Sequence, residues 1–219
     1  MQNIKAQKTL INAAIKANTA YNVRRNAEGM QQDIERGIKV LEGFSGAQFD
    51  AAKALNIDFD ALAKDIETST NVKKVLRVSQ FLGFMTSGDA AYLKGSAKCA
   101  LLAFAVTLCH AKNRAGIFQG LTRKAHSTAV GNGYDLPAIE RATSLVRALN
   151  GGEHMSPATA PTQISVAYSK GGILPALGIT GTMARKGETP EIIDSPATRA
   201  LIAMIESASD ATFDIWAGN

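Results

Sequence analysis

Cys99-Ala-Leu-Leu-Ala-Phe-Ala-Val-Thr-Leu-Cys109 belongs to the longest uncharged apolar stretch of the chain, which lies between Lys98 and Lys112. It is apolar on every side rather than along one stripe, the mark of a helix buried all round. A membrane-spanning helix needs roughly 17 to 25 such residues, and this stretch is shorter. The reading is therefore a central core helix, capped by Ser87 or Asp89, running from Ala90 through His110 with Gly95 as its weak point. Glycine there costs up to about 1 kcal/mol against alanine.

The two cysteines of the protein close this run. Ten helical residues hold their sulfurs about 15 Å apart along the axis, too far for a disulfide. They read as buried, reduced thiols, which favours a reducing compartment. The N-terminus Met1-Gln-Asn-Ile-Lys-Ala-Gln-Lys8 lacks the apolar stretch of a secretory signal, so a cytoplasmic location and no membrane partner are expected.

Outward from the core helix the pattern stays helical. Upstream, Thr70 suits the N-cap of a helix over residues 71 to 82, with Val72, Val75, Leu76, Ser79 and Leu82 on one side and Lys73, Lys74, Arg77 and Gln80 elsewhere. Gly83 to Gly88 is expected to break it. Further back, Ile4, Leu10, Ile11, Ala14 and Ile15 follow a helical period, as do Met30, Ile34, Ile38 and Leu41. Ser45 or Gly46 and then Asp58 start two short helices. Downstream, Asp135 and Pro137 open a helix carrying Ile139, Ala142, Val146 and Leu149, stopped by Asn150-Gly-Gly152, and Ser195-Pro196 opens the last, through about Ala208. The fold class is mainly α, a helical globular protein. Its expected organisation is an N-terminal helical segment (1–70), basic central core helices (71–130) and a C-terminal helical part (131–219). With 219 residues it can bury a core without metal or disulfide.

Charge is unevenly spread. Residues 71–130 hold nine Lys and Arg against the single acid Asp89, whereas residues 41–70 hold two against six acids. Residues 1–40 carry seven against three, and residues 131–219 carry six against nine. Cations without local partners raise the surface potential and attract polyanions, of which phosphate backbones are the commonest. Lys73, Lys74, Arg77, Lys112, Arg114, Arg123 and Lys124 are accordingly the candidate phosphate contacts.

A second arrangement lies at residues 136 to 193, where a helix, a capped second helix and a Lys186-Gly187 turn follow one another in a winged helix-turn-helix pattern. In that reading a small C-terminal β-hairpin over residues 179 to 193 carries Arg185 and Lys186 at its tip. The helix over residues 163 to 170 presents Gln163 and Lys170, beside Thr162, Ser165 and Ser169, to DNA. The long connection from Asn150 to Pro161 departs from the usual short turn.

Signals for catalysis or cofactors are lacking. His110, His126 and His154 show no metal-ligand spacing. Cys109 and His110 are adjacent, hence about 100° apart on a helix, and cannot act as a dyad. Gly116-Ile-Phe-Gln-Gly120 lacks the lysine of a phosphate loop. Asp58 and Asp60 are explained by a helix cap. No cofactor, no metal and no enzymatic activity are expected. The expected function is nucleic-acid binding, DNA before RNA. The alternative is a helical assembly protein that oligomerises through its charge blocks of alternating sign.

Overall fold

Residues 2–25, 28–69, 73–110, 136–156, 166–169, 171–183 and 190–218 are described by the computed structural model, and they are mainly helical. In chain order the α-helices are α1 (Gln2–Arg25), α2 (Glu28–Glu42), α3 (Gly46–Ala54), α4 (Phe59–Thr68), α5 (Lys74–Ser87), α6 (Ser96–His110), α7 (Leu136–Leu149), α8 (Ile173–Ala176), α9 (Pro196–Ser207) and α10 (Asp210–Ala217). The chain forms two compact units, Met1–Ala97 and Lys98–Asn219. The first helix of the basic centre thus shares a unit with the N-terminal helices.

In the first unit α1 packs on α4 and α2, and α2 packs on α5. Leu10 and Ala14 of α1, Ile34 and Leu41 of α2, Leu62 and Ile66 of α4, and Val78 and Phe81 of α5 are buried. Each such large side chain contributes about 1.5 to 3 kcal/mol on leaving water. The expected starts of α3 and α4 are in place. Ser45 accepts from the Gln48 amide in a reciprocal capping box, and Asp58 accepts from the amides of Asp60 and Ala61. Phe49 joins the two helices through ring contacts with Phe44 and Phe59, at centroid distances of 5.5 and 5.9 Å.

Two expected boundaries shift. Helix α5 continues through Gly83 to Ser87 and ends at Gly88, whose φ of 71° is left-handed. Gly83 does not break the helix because it has a packing role: a Cβ there would lie 2.5 Å from the Tyr92 ring. Asp89 then caps only a 3-10 turn, Ala90–Tyr92. Gly95 at φ 50° turns the chain, and α6 begins at Ser96. The single helix expected from Ala90 is split because a positive φ cannot continue a right-handed helix. Within α6, Ala100 through Leu108 are all buried, as the apolar run requires. The flanking Cys99 and Cys109 form no disulfide and are half-buried, not fully buried.

In the second unit α7 packs on α9 and α10. The stop at Asn150-Gly-Gly152 is made by the Gly152 amide, which returns to the Arg147 carbonyl at 2.7 Å. Ser195 caps α9, its hydroxyl accepting from the Thr198 amide and donating to the Gly178 carbonyl. Residues 210 to 217 form a docked helix, with Phe213 and Trp216 buried.

The expected β-hairpin is not found: the described residues form no strand. One antiparallel bridge joins Thr180 and Ile192, supported by the Gly181 amide to the Glu191 carbonyl at 2.8 Å. By that register Thr182 and Pro190 form a non-hydrogen-bonded pair, and the next ladder bond falls to the Met183 amide. The Met183 amide turns instead to the Tyr168 carbonyl at 2.9 Å. The winged arrangement loses its wing.

Candidate nucleic-acid interface

Helix α2 places Asp33, Arg36 and Val40 on one face, at spacings of three and four. On the neighbouring helix, Lys73, which immediately precedes α5, together with Arg77 and Gln80, forms a second row. The two helices approach closely because residue 37 is glycine: a Cβ there would meet Val75 Cγ1 at 2.2 Å and the Leu76 amide nitrogen at 2.7 Å. A groove of about 490 Å³ runs beside this crossing, with Val40 and Leu76 in its lining and the turn Lys94-Gly95-Ser96 along one side.

Among the described residues five cations line it, Arg36, Lys39, Lys73, Arg77 and Lys94, against the single carboxylate of Asp33. Arg36, Lys39, Lys73 and Lys94 are exposed, while Arg77 and Asp33 are half-buried. Asp33 lies 3.5 Å from Lys73 Nζ and 3.8 Å from the Arg36 guanidinium. Cations outnumber carboxylates five to one among the described lining residues, and concave walls of low dielectric focus the net field into the groove. A second groove of the same unit, about 400 Å³, is lined by Lys5 and Lys53 with Asp58 and Asp60. Its charges balance, so it has no comparable preference for anions.

The cations expected on one face of the basic helix therefore divide. Lys73 and Arg77, four residues apart, share the groove. Lys74 is rotated away, only 3% exposed, and forms an ion pair with Asp65. It cannot reach a phosphate on the surface without breaking that pair. Lys112, Arg114, Arg123, Lys124, Gln163, Lys170, Arg185 and Lys186 lie outside the described residues. The described part of the expected recognition helix, residues 166 to 169, turns inward: Ala167 and Tyr168 are buried, and the Tyr168 hydroxyl donates to the Ala103 carbonyl at 3.2 Å.

Arg36 and Lys39 escaped sequence reasoning because they belong to a segment of mixed charge, and Lys94 because it falls within the expected core helix from Ala90, which the structure breaks there. The available signal was Gly37. A glycine inside an amphipathic helix costs about 1 kcal/mol unless another backbone packs there, and so marks a close crossing.

Elsewhere the His110 and His154 rings lie 5.5 Å apart, and Cys109 Sγ meets Thr143 Oγ1 at 3.5 Å. Among the described residues no group of three or more His, Cys, Asp and Glu could hold a metal ion. No helix among them is long and apolar enough to cross a membrane. The chain matches no protein-family model, no curated protein and no solved structure.

Proposed function

We propose that this protein binds nucleic acid through the phosphate backbone, using the groove between α2 and α5. The observation that carries the reading is the set of five cations around one concave surface with a single carboxylate among the described lining residues. No aromatic side chain is among those residues, which favours phosphate contact over base stacking. Phosphate contacts position a strand without reading its bases, so DNA and RNA should both bind, with little dependence on sequence. The protein then acts as a binding module rather than an enzyme. Its two cysteines, not joined in a disulfide, suit a reducing, cytoplasmic setting.

The test is a shift assay with single-stranded and duplex DNA and RNA at two salt concentrations, comparing the protein with R36E/K39E/K94E. Binding should weaken at least about 10-fold in the variant, and the wild-type affinity should fall with salt at a slope of about −3 to −4 on duplex DNA. Equal retention of both proteins, or affinity indifferent to salt, would overturn the reading. So would a mass that rises with concentration in the absence of nucleic acid and is lost in the same variant, since the groove would then join copies of the chain.

A further inference from the structure

We propose that Asp33 is a built-in competitor for phosphate, so that the groove takes extended strands carrying several phosphates and discriminates against single phosphate groups. The inference rests on the nucleic-acid reading of the same groove and assigns a specificity role within it.

Asp33 is the sole acid among the described residues of the lining, and its two oxygens engage different cations: Oδ1 faces Arg36 on its own helix and Oδ2 faces Lys73 across the crossing. The carboxylate side chain is 16% exposed, while the Arg36 and Lys73 side chains are 67% and 55% exposed. The anion is thus held inside the groove and the cations reach it from the rim. At 3.5 and 3.8 Å both contacts are longer than the roughly 2.7 to 2.9 Å of a strong charge-assisted hydrogen bond. Exposed pairs of this kind add little to folding stability. Their larger consequence falls on any anion that enters.

An entering phosphate must take Arg36 and Lys73 from the carboxylate and then tolerate the displaced negative charge beside it. A lone phosphate exchanges one anion for another and gains little. A strand that also delivers phosphates to Lys39 and Lys94, which form no ion pair among the described residues, offsets that repulsion with further contacts. Discrimination comes from the repulsive element as much as from the attractive ones.

The variant D33N keeps the size of the side chain and removes its charge. Binding of a labelled single-stranded oligonucleotide is measured by fluorescence anisotropy across a salt series, with inorganic phosphate as competitor. D33N should bind about 3- to 10-fold tighter at low salt, with a salt slope steeper by about one, and inorganic phosphate should displace the strand more readily than from wild type. E35Q makes the same charge change two residues along the helix, about 200° around it, where Glu35 is exposed, paired with Gln31 and outside the groove lining. Its effect should stay within about 2-fold. Equal or weaker binding by D33N, or an equal gain in E35Q, overturns the role of Asp33. If wild type binds and R36E/K39E/K94E does not, the groove reading stands whatever D33N does. No binding by wild type or D33N overturns both.

Discussion

Gly37 on α2 sits so close to Leu76 on α5 that a Cβ added to it would come within 2.7 Å of the Leu76 amide nitrogen. The atom it would meet is backbone, which cannot rotate out of the way. G37A must therefore push the two helices apart or strain them, and overpacking of this kind costs about 1 to 3 kcal/mol. Gly43, near the end of the same helix, has only ordinary contacts at 3.5 Å, so G43A should stay within about 1 kcal/mol of wild type. Urea unfolding of the two variants checks this. Equal stabilities would mean that the crossing has room to spare. Because Arg36 and Lys73 stand on either side of it, G37A should also weaken oligonucleotide binding.

Lys74 and Asp65 form a pair of unequal burial, with the lysine side chain 4% exposed and the carboxylate 39%. The lysine stem lies among Ala14, Ala17, Ile34, Ile66 and Val75. D65N leaves the buried ammonium uncompensated and should destabilise by about 1 to 3 kcal/mol, reduced from the fully buried case because Asp65 is half-solvated. K74M removes the charge and fills the same space, and should lie within about 1 kcal/mol of wild type. The order of the two variants in a denaturant titration is the test. K74M should also leave oligonucleotide affinity unchanged, which separates a core lysine from a groove lysine on the same helix.

The contrast between Lys73 and Lys74 shows where sequence reading succeeds and where it stops. Most of the helices were legible, because apolar periodicity and caps such as Ser45, Asp58 and Ser195 are local properties, but the short α8 and the C-terminal α10 were not. The basic helix was also legible. Which of two adjacent lysines faces Asp65 was not, because that carboxylate comes from another helix. The same limit explains Arg36 and Lys39, whose place beside Lys73 depends on a crossing between α2 and α5. Gly95 and Gly83 show the converse error. Each was read by helix propensity alone, while the contact of Gly83 with Tyr92 and the positive φ of Gly95 are tertiary and backbone facts. The hairpin stops where the Met183 amide bonds to the Tyr168 carbonyl, a tertiary contact that strand propensity does not show.

Arg141 ties α7 to the C-terminal helix. Its guanidinium lies 4.4 Å from the Phe213 ring centroid, meets Asp210 at 2.7 Å and donates to the Ala208 carbonyl. Asp210 is 83% exposed, so its ion pair contributes little and D210N should cost under about 1 kcal/mol. The ring contact and the carbonyl bond are less hydrated, and R141A should cost about 1 to 3 kcal/mol. R141K keeps the charge but loses the planar fork and should fall between them. Limited proteolysis should cut residues 209 to 218 faster in R141A than in D210N, and equal rates would place the tie elsewhere.

Tyr168 supplies a prediction at alkaline pH. Burial pushes its phenol up to about 12 from the ordinary 10, partly offset by a hydrogen bond with the Thr107 side chain. The unfolded chain loses this proton near pH 10, the native chain only near 12. Between those values the unfolded state binds fewer protons, so stability falls as pH rises. The contribution is complete below about pH 10 and lost as the pH climbs through about 12, amounting to about 2 to 3 kcal/mol. Y168F lacks the titrating group. At neutral pH it should be less stable by about 1 kcal/mol, since the hydrogen bond to the Ala103 carbonyl is gone. As pH rises the wild type should lose stability faster, and the two curves should meet or cross before about pH 12. Urea unfolding of both proteins from about pH 8 upward tests this. Because the two proteins differ only in this group, only the difference between the curves matters. Parallel curves would mean that the phenol is hydrated in the native state and that residues 166 to 169 do not pack inward.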